Sequence, residues 1–133
     1  MRRAVWIAST TVVVQAAHFG EELFTGFQER FPLLFGLSPM SRAFFVCFNV
    51  AWLTAWSVSI WGVWKRRRAA LFPLWFLSLG GIANGVAHPV LSVTVGGYFP
   101  GLITAPAVAV LGLVLFGQLL AITATGDSSY GVG

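Results

Sequence analysis

Four apolar runs, roughly Ala4–Phe24, Arg42–Trp64, Ala69–Val90 and Gly101–Thr123, take up most of this chain. Each is about 20 residues, the length an α-helix needs to cross a ~30 Å hydrocarbon core. With no water to satisfy an open backbone there, helices are the economical way across. The expected fold is therefore an all-α membrane protein, a four-transmembrane-helix bundle. Residues 1–125 form a single transmembrane domain and 126–133 a flexible Gly/Ser-rich tail. Only 9% of the 133 residues are charged, against roughly 25% in a soluble domain. No length remains for a separate soluble domain, so any activity sits in or at the membrane.

The basic residues set the orientation. Arg2 and Arg3 precede the first run, and Lys65, Arg66, Arg67 and Arg68 join the second to the third. With four spans these six of the eight Lys/Arg lie on one side, which the positive-inside rule makes cytoplasmic. Both termini are then cytoplasmic. The net charge of +4 is a topology signal, with no nucleic acid partner implied. Trp61, Trp64 and the Lys65–Arg68 run read as an interfacial collar facing membrane lipids. The first run is read as a retained helix rather than a signal peptide, because Gln15 suits the −3 position of a cleavage site poorly. The segment from Thr25 to Ser41 carries Phe27, Phe31, Leu33, Leu34 and Phe35, punctuated by Pro32 and Pro39. It is too greasy for a solvated loop and reads as an interfacial anchor or as a lid over a site. Cys47, the single cysteine, excludes an intrachain disulfide and reads as a small buried apolar residue.

In so apolar a chain, His18-Phe19-Gly20-Glu21-Glu22 puts three ionisable groups within five residues. At the centre of a membrane helix such a group costs about 2.5–3.5 kcal/mol on insertion scales. His18, Glu21 and Glu22 share a helix face about 100° wide, extended by Thr11, Gln15 and Thr25. That stripe should face protein rather than lipid. A second group is Asn84 and His88, four residues apart on one face. Pro89 follows, and Gly81 and Gly85 form a small-xxx-small pair for close helix approach. A third is Tyr98-Phe99-Pro100-Gly101 with Thr104, a turn opening the last run. The four-span topology puts all three at similar depth, on the non-cytoplasmic side. Asn49, near Trp52 and Trp56, reads as interhelical glue.

Taken together, His18-Phe19-Gly20-Glu21-Glu22, Asn84-Gly85-Val86-Ala87-His88 and Tyr98-Phe99-Pro100-Gly101 resemble the HXXEE family of small bacterial membrane proteins. That family carries a His-x-x-Glu-Glu, an Asn-x-x-x-His and a Tyr-x-Pro-Gly motif in this order. The resemblance implies a multi-pass protein of the bacterial inner membrane with a membrane-embedded enzymatic site. It names a site, not a substrate.

Three readings of the site follow. His18, Glu21, Glu22 and His88 can bind a divalent transition metal such as Zn, Fe or Mn, with Gln15, Asn84, Tyr98 and Thr104 supporting. Alternatively the same four catalytic candidates work without metal as general acid and base. Either chemistry suits a lipid or other hydrophobic small molecule entering from the bilayer. In the third reading the protein is not an enzyme: the cluster is a proton or ion relay or a structural pin. The chain is then a homo-oligomer or a small subunit of a larger membrane complex.

Overall fold

In the computed structural model, which describes residues 2–124, the sequence forms five α-helices and, among the described residues, no strand. They are α1 (Arg2–Thr25), α2 (Phe27–Leu33), α3 (Arg42–Trp64), α4 (Leu71–Val95) and α5 (Ala105–Ala124). The 126–133 tail and Asp127 lie outside the described residues. Three helical stretches are long and apolar enough to cross a membrane: α3, the stretch Arg68–Val95 that contains α4, and α5. The fourth expected span, α1, has 24 residues, a length of about 36 Å, but is less apolar than the other three.

Polarity is distributed inside out. Thr11, Gln15, His18, Glu22, Asn49, Ser59, Ser78 and His88 are buried, whereas Val93 is 82% and Phe24 80% exposed. Water would penalise that arrangement on both counts; a hydrocarbon solvent favours it. On α1 the buried positions are Ala4, Ala8, Thr11, Gln15, His18 and Glu22. Their alternating steps of four and three form a seam of the kind helices use to pack on one another. The polar stripe expected from spacing thus faces protein.

The ends of the helices follow local chemistry. Ser41 caps α3, its Oγ accepting from Phe44 N–H at 3.1 Å. α4 runs through Pro89 to a left-handed Gly96 (φ 71°) rather than stopping at Val90. Residues Val90–Val95 remain mostly apolar, and a membrane helix tolerates an internal proline where neighbours re-satisfy its backbone. α5 starts at Ala105, four residues later than expected. Gly101 at φ 90° breaks the helix first, and residues 101–104 form a turn.

α4 and α5 cross closely, as the Gly81/Gly85 pair predicted. A Cβ on Gly81 would lie 2.8 Å from Val108 O, and one on Gly112 would lie 2.7 Å from Ser78 O. The Ser78 hydroxyl spans the same seam, donating to Gly112 O at 2.9 Å. Gly112→Leu is therefore expected to push the helices apart at a cost of about 1–3 kcal/mol. A lower midpoint of thermal unfolding in detergent would register it, and an unchanged midpoint would refute the close crossing.

Ala8, Trp56, Val63, Leu71, Leu74, Leu77, Leu115 and Leu119 pack as the apolar core. It fills the half of the bundle nearest the α1 N-terminus and leaves the other half to polar groups. Lys65 Nζ sits 4.8 Å from the Trp64 ring centroid, consistent with the basic collar. Two expectations fail. Cys47 is exposed on the outer face of α3, because its helix turns Phe45 and Asn49 inward instead. Asn49 is not bonded across helices; its Nδ2 donates to Phe45 O one turn back, at 2.9 Å.

Candidate functional site

His18 on α1 and His88 on α4 meet edge to face, ring centroids 4.9 Å apart. Glu22, one turn beyond His18, closes the group. Its Oε1 is 3.6 Å from His18 Nε2 and 3.3 Å from His88 Nε2. All three side chains are buried, and one ligand atom from each lies within 4.8 Å of the others. Residues seventy apart in sequence are thus brought to one point.

Glu21 does something different from Glu22. Helical residues in succession differ by about 100° in direction, and Glu21 points to the turn before α5. Its Oε1 accepts from the Tyr98 hydroxyl (2.6 Å) and Ile103 N–H (3.0 Å). Its Oε2 accepts from Thr104 N–H (2.9 Å) and the Thr104 hydroxyl (2.6 Å). The carboxylate serves as a capping group supplied by another helix, placed where the N–H groups and dipole of α5 favour an anion. Partial burial, reinforced by donation to Glu21, raises the Tyr98 pKa and keeps the phenol a hydrogen-bond donor.

This clamp also sets the tautomer of His18. The single Thr104 hydroxyl proton goes to Glu21, so its oxygen is free to accept from His18 Nδ1 at 2.7 Å. A neutral His18 then carries its proton on Nδ1 and a bare lone pair on Nε2. That Nε2 is buried with no hydrogen-bond partner and faces the Glu22 carboxylate. Two electron-rich atoms facing each other at this range call for a positive charge between them. A carboxylate acting through a second group to orient a histidine is the usual outer support of a metal ligand.

Two of the three ligand-atom spacings, 3.3 and 3.6 Å, are near those found around an ion, and all three lie within 4.8 Å. A tetrahedral centre bonded at about 2.0–2.1 Å holds its ligand atoms about 3.3–3.4 Å apart. Two histidines and one carboxylate form a donor set used by zinc and by non-haem iron, with positions left for water or substrate. His88 Nδ1, by contrast, has no partner.

The structure assigns the remaining candidates as follows. Thr104 and Tyr98 reach the site through Glu21. Gln15 and Asn84 stand one turn below the histidines and line a separate crevice with Phe19 and Trp56. Three further residues shape the site, named in the sequence only as part of the Thr25–Ser41 segment and of the Tyr98–Gly101 turn. Phe27 of α2 lies 5.9 Å from His88 and 6.0 Å from Phe99, covering the site. Phe99 itself is buried. At Gly101 a Cβ would come within 2.7 Å of His88 Nδ1 and 2.9 Å of His18 Cε1. Together with its φ of 90°, that makes glycine the residue that fits. The Pro100-Gly101 turn was a legible signal; what it makes room for was not. No protein-family model, curated protein or solved structure matches the chain.

Proposed function

We propose that this protein is a membrane-embedded, metal-dependent enzyme whose centre is His18, Glu22 and His88. The observation that carries this reading is their buried convergence, with a partnerless His18 Nε2 facing a carboxylate. A divalent ion there offsets the cost of burying the carboxylate and supplies Lewis acidity or an activated water. Zinc, iron and manganese all suit the donors. Glu21, Thr104 and Tyr98 hold His18 in its ligating tautomer, and Phe27 and Phe99 keep bulk water away. The substrate is a lipid or other hydrophobic small molecule.

In this reading α1 is the fourth span. Its seam is occupied by α3, α4 and α5, and beyond Arg3 the exposed remainder is apolar apart from Thr10, including Trp6, Val13 and Phe24. Both termini then lie in the cytoplasm and the site in the outer half of the bacterial inner membrane. The three motifs make HXXEE membership the family assignment we favour.

One observation favours a second reading. The 3.3 Å contact of His88 Nε2 with Glu22 Oε1 is also that of a proton-sharing acid–base pair. Elemental analysis of protein purified in detergent without chelator separates the two. About one ion per chain, lost in a folded His88→Ala variant, is the expected result. A metal-free protein that stays so after incubation with Zn, Fe(II) and Mn would transfer the site to acid–base chemistry.

A further inference from the structure

A crevice of about 220 Å³ opens between α1, α3 and α4, one helical turn toward the α1 N-terminus from the histidines. Phe48 and Phe76, both about half exposed, form its mouth on the lipid-facing surface. Gly80 and Gly81 leave one wall without side chains. So far this is an apolar groove; its polar groups make it more.

Gln15 and Asn84 line it and make no side-chain hydrogen bond among the described residues. Asn49, also lining it, uses its Nδ2 on Phe45 O and keeps its side-chain oxygen free. Trp56 lines it with its ring, while its indole N–H is buried away from the cavity surface. In an apolar setting an unmade hydrogen bond is costly, and several around one cavity point to a ligand that makes them. The carboxamides of Gln15 and Asn84 offer N–H donors to the crevice, which an oxygen acceptor on a ligand would satisfy. No charged residue lines the crevice. A phosphate, carboxylate or ammonium there would be unpaired in low dielectric, which excludes charged headgroups.

We infer that this crevice binds the head of a neutral, lipid-soluble molecule bearing a carbonyl or hydroxyl oxygen, admitted sideways from the bilayer. The volume holds a head and the first part of a chain, and the rest lies in lipid between Phe48 and Phe76. Two polar lanes lead from it to the metal centre: Gln15 to His18 on α1 and Asn84 to His88 on α4. Each covers one turn, about 4.5–6 Å along the axis. The Phe19 ring stands at their junction, 6.3 Å from the His18 ring and stacked 6.3 Å from Trp56. The assignment of the crevice as a substrate entrance rests on the enzymatic reading above.

The test uses a diazirine-bearing long-chain methyl ketone and the matching long-chain carboxylate as probes, with the full chain in phosphatidylcholine nanodiscs. Saturable labelling by the ketone at Phe48, Trp52 or Phe76 is expected. A Cβ on Gly80 meets nothing within 4 Å, so Gly80→Phe can start a ring from the crevice wall. It should cut labelling at least fivefold and leave the metal content unchanged. Gln15→Leu, which replaces a carboxamide donor with an apolar side chain of similar size, should weaken ketone competition roughly fivefold. Labelling scattered over Phe24, Val93 and Ile103 and indifferent to Gly80→Phe would overturn the inference. Equal labelling by the carboxylate would overturn it too. Saturable crevice labelling of a protein that binds no metal would uphold the binding site while defeating the metal-centre reading.

Discussion

Glu22→Gln is expected to lower metal affinity at least 100-fold, about 3 kcal/mol, while raising the thermal stability of the metal-free protein. The two signs have one cause. Glu22 is 5% exposed and lies against two buried histidine rings. Without an ion its carboxylate carries the desolvation cost of a buried charge, which a carboxamide of the same shape avoids. With an ion the charge is the third ligand, and losing it removes both a bond and the neutralisation. Affinity measured by competition with a metal chelator reads the first effect, and melting in excess chelator reads the second. A metal-free variant no more stable than the parent would mean that a proton, on the Glu22 carboxyl or on a neighbouring histidine, already neutralises the parent site. The acid–base reading would then gain. Asp at the same position keeps the charge but withdraws it by one methylene, so it should fall between Glu and Gln in affinity.

Glu21→Ala is expected to destabilise the protein by about 3–5 kcal/mol and to weaken metal binding roughly tenfold. Four hydrogen bonds end on this carboxylate, two from main-chain N–H groups at the start of α5. Bonds to a charged acceptor contribute about 1.5–3 kcal/mol each, and removing several that act together costs less than their sum. The weaker metal binding follows from Thr104, which loses the acceptor that fixes its proton and so stops imposing the Nδ1–H tautomer on His18. Chemical unfolding in mixed micelles measures the first effect and chelator competition the second. Glu21→Gln retains one strong acceptor and should recover part of the stability. If Glu21→Ala lowered metal binding as far as Glu22→Gln does, Glu21 would be a ligand and the division of labour between the adjacent glutamates would fail. Gly101 offers a related check on crowding, since its missing side chain leaves the space the two histidine rings occupy.

That division shows what spacing can and cannot say. Sequence put His18, Glu21 and Glu22 on one face and made that face the buried one. It could not rank the two carboxylates, because neighbouring positions diverge by about 100° and the rotation of α1 decides which meets the histidines. The phenylalanines of the Thr25–Ser41 segment were legible as a greasy stretch that a solvated loop would not carry. That it contains α2 and lays Phe27 against His88 follows only from a return path closed by Met40 N–H donating to Gln28 O. Cys47 was misread because a uniformly apolar helix such as α3 carries almost no periodic signal of which side faces lipid.

The sequence by itself determined an all-helical chain with apolar segments of membrane-spanning length, the small residues Gly81 and Gly85 that admit a neighbouring helix, and the polar groups that gather into the site. These depend on length, apolar runs and the cost of burying polar groups, which act residue by residue. Only the tertiary structure decided that Glu22 joins the histidines while Glu21 caps α5, that Thr104 sets the His18 tautomer, and that Gly101 leaves room for both rings. Each of these depends on helix rotation and on contacts between residues some eighty positions apart. Spacing along a single helix does not encode such contacts.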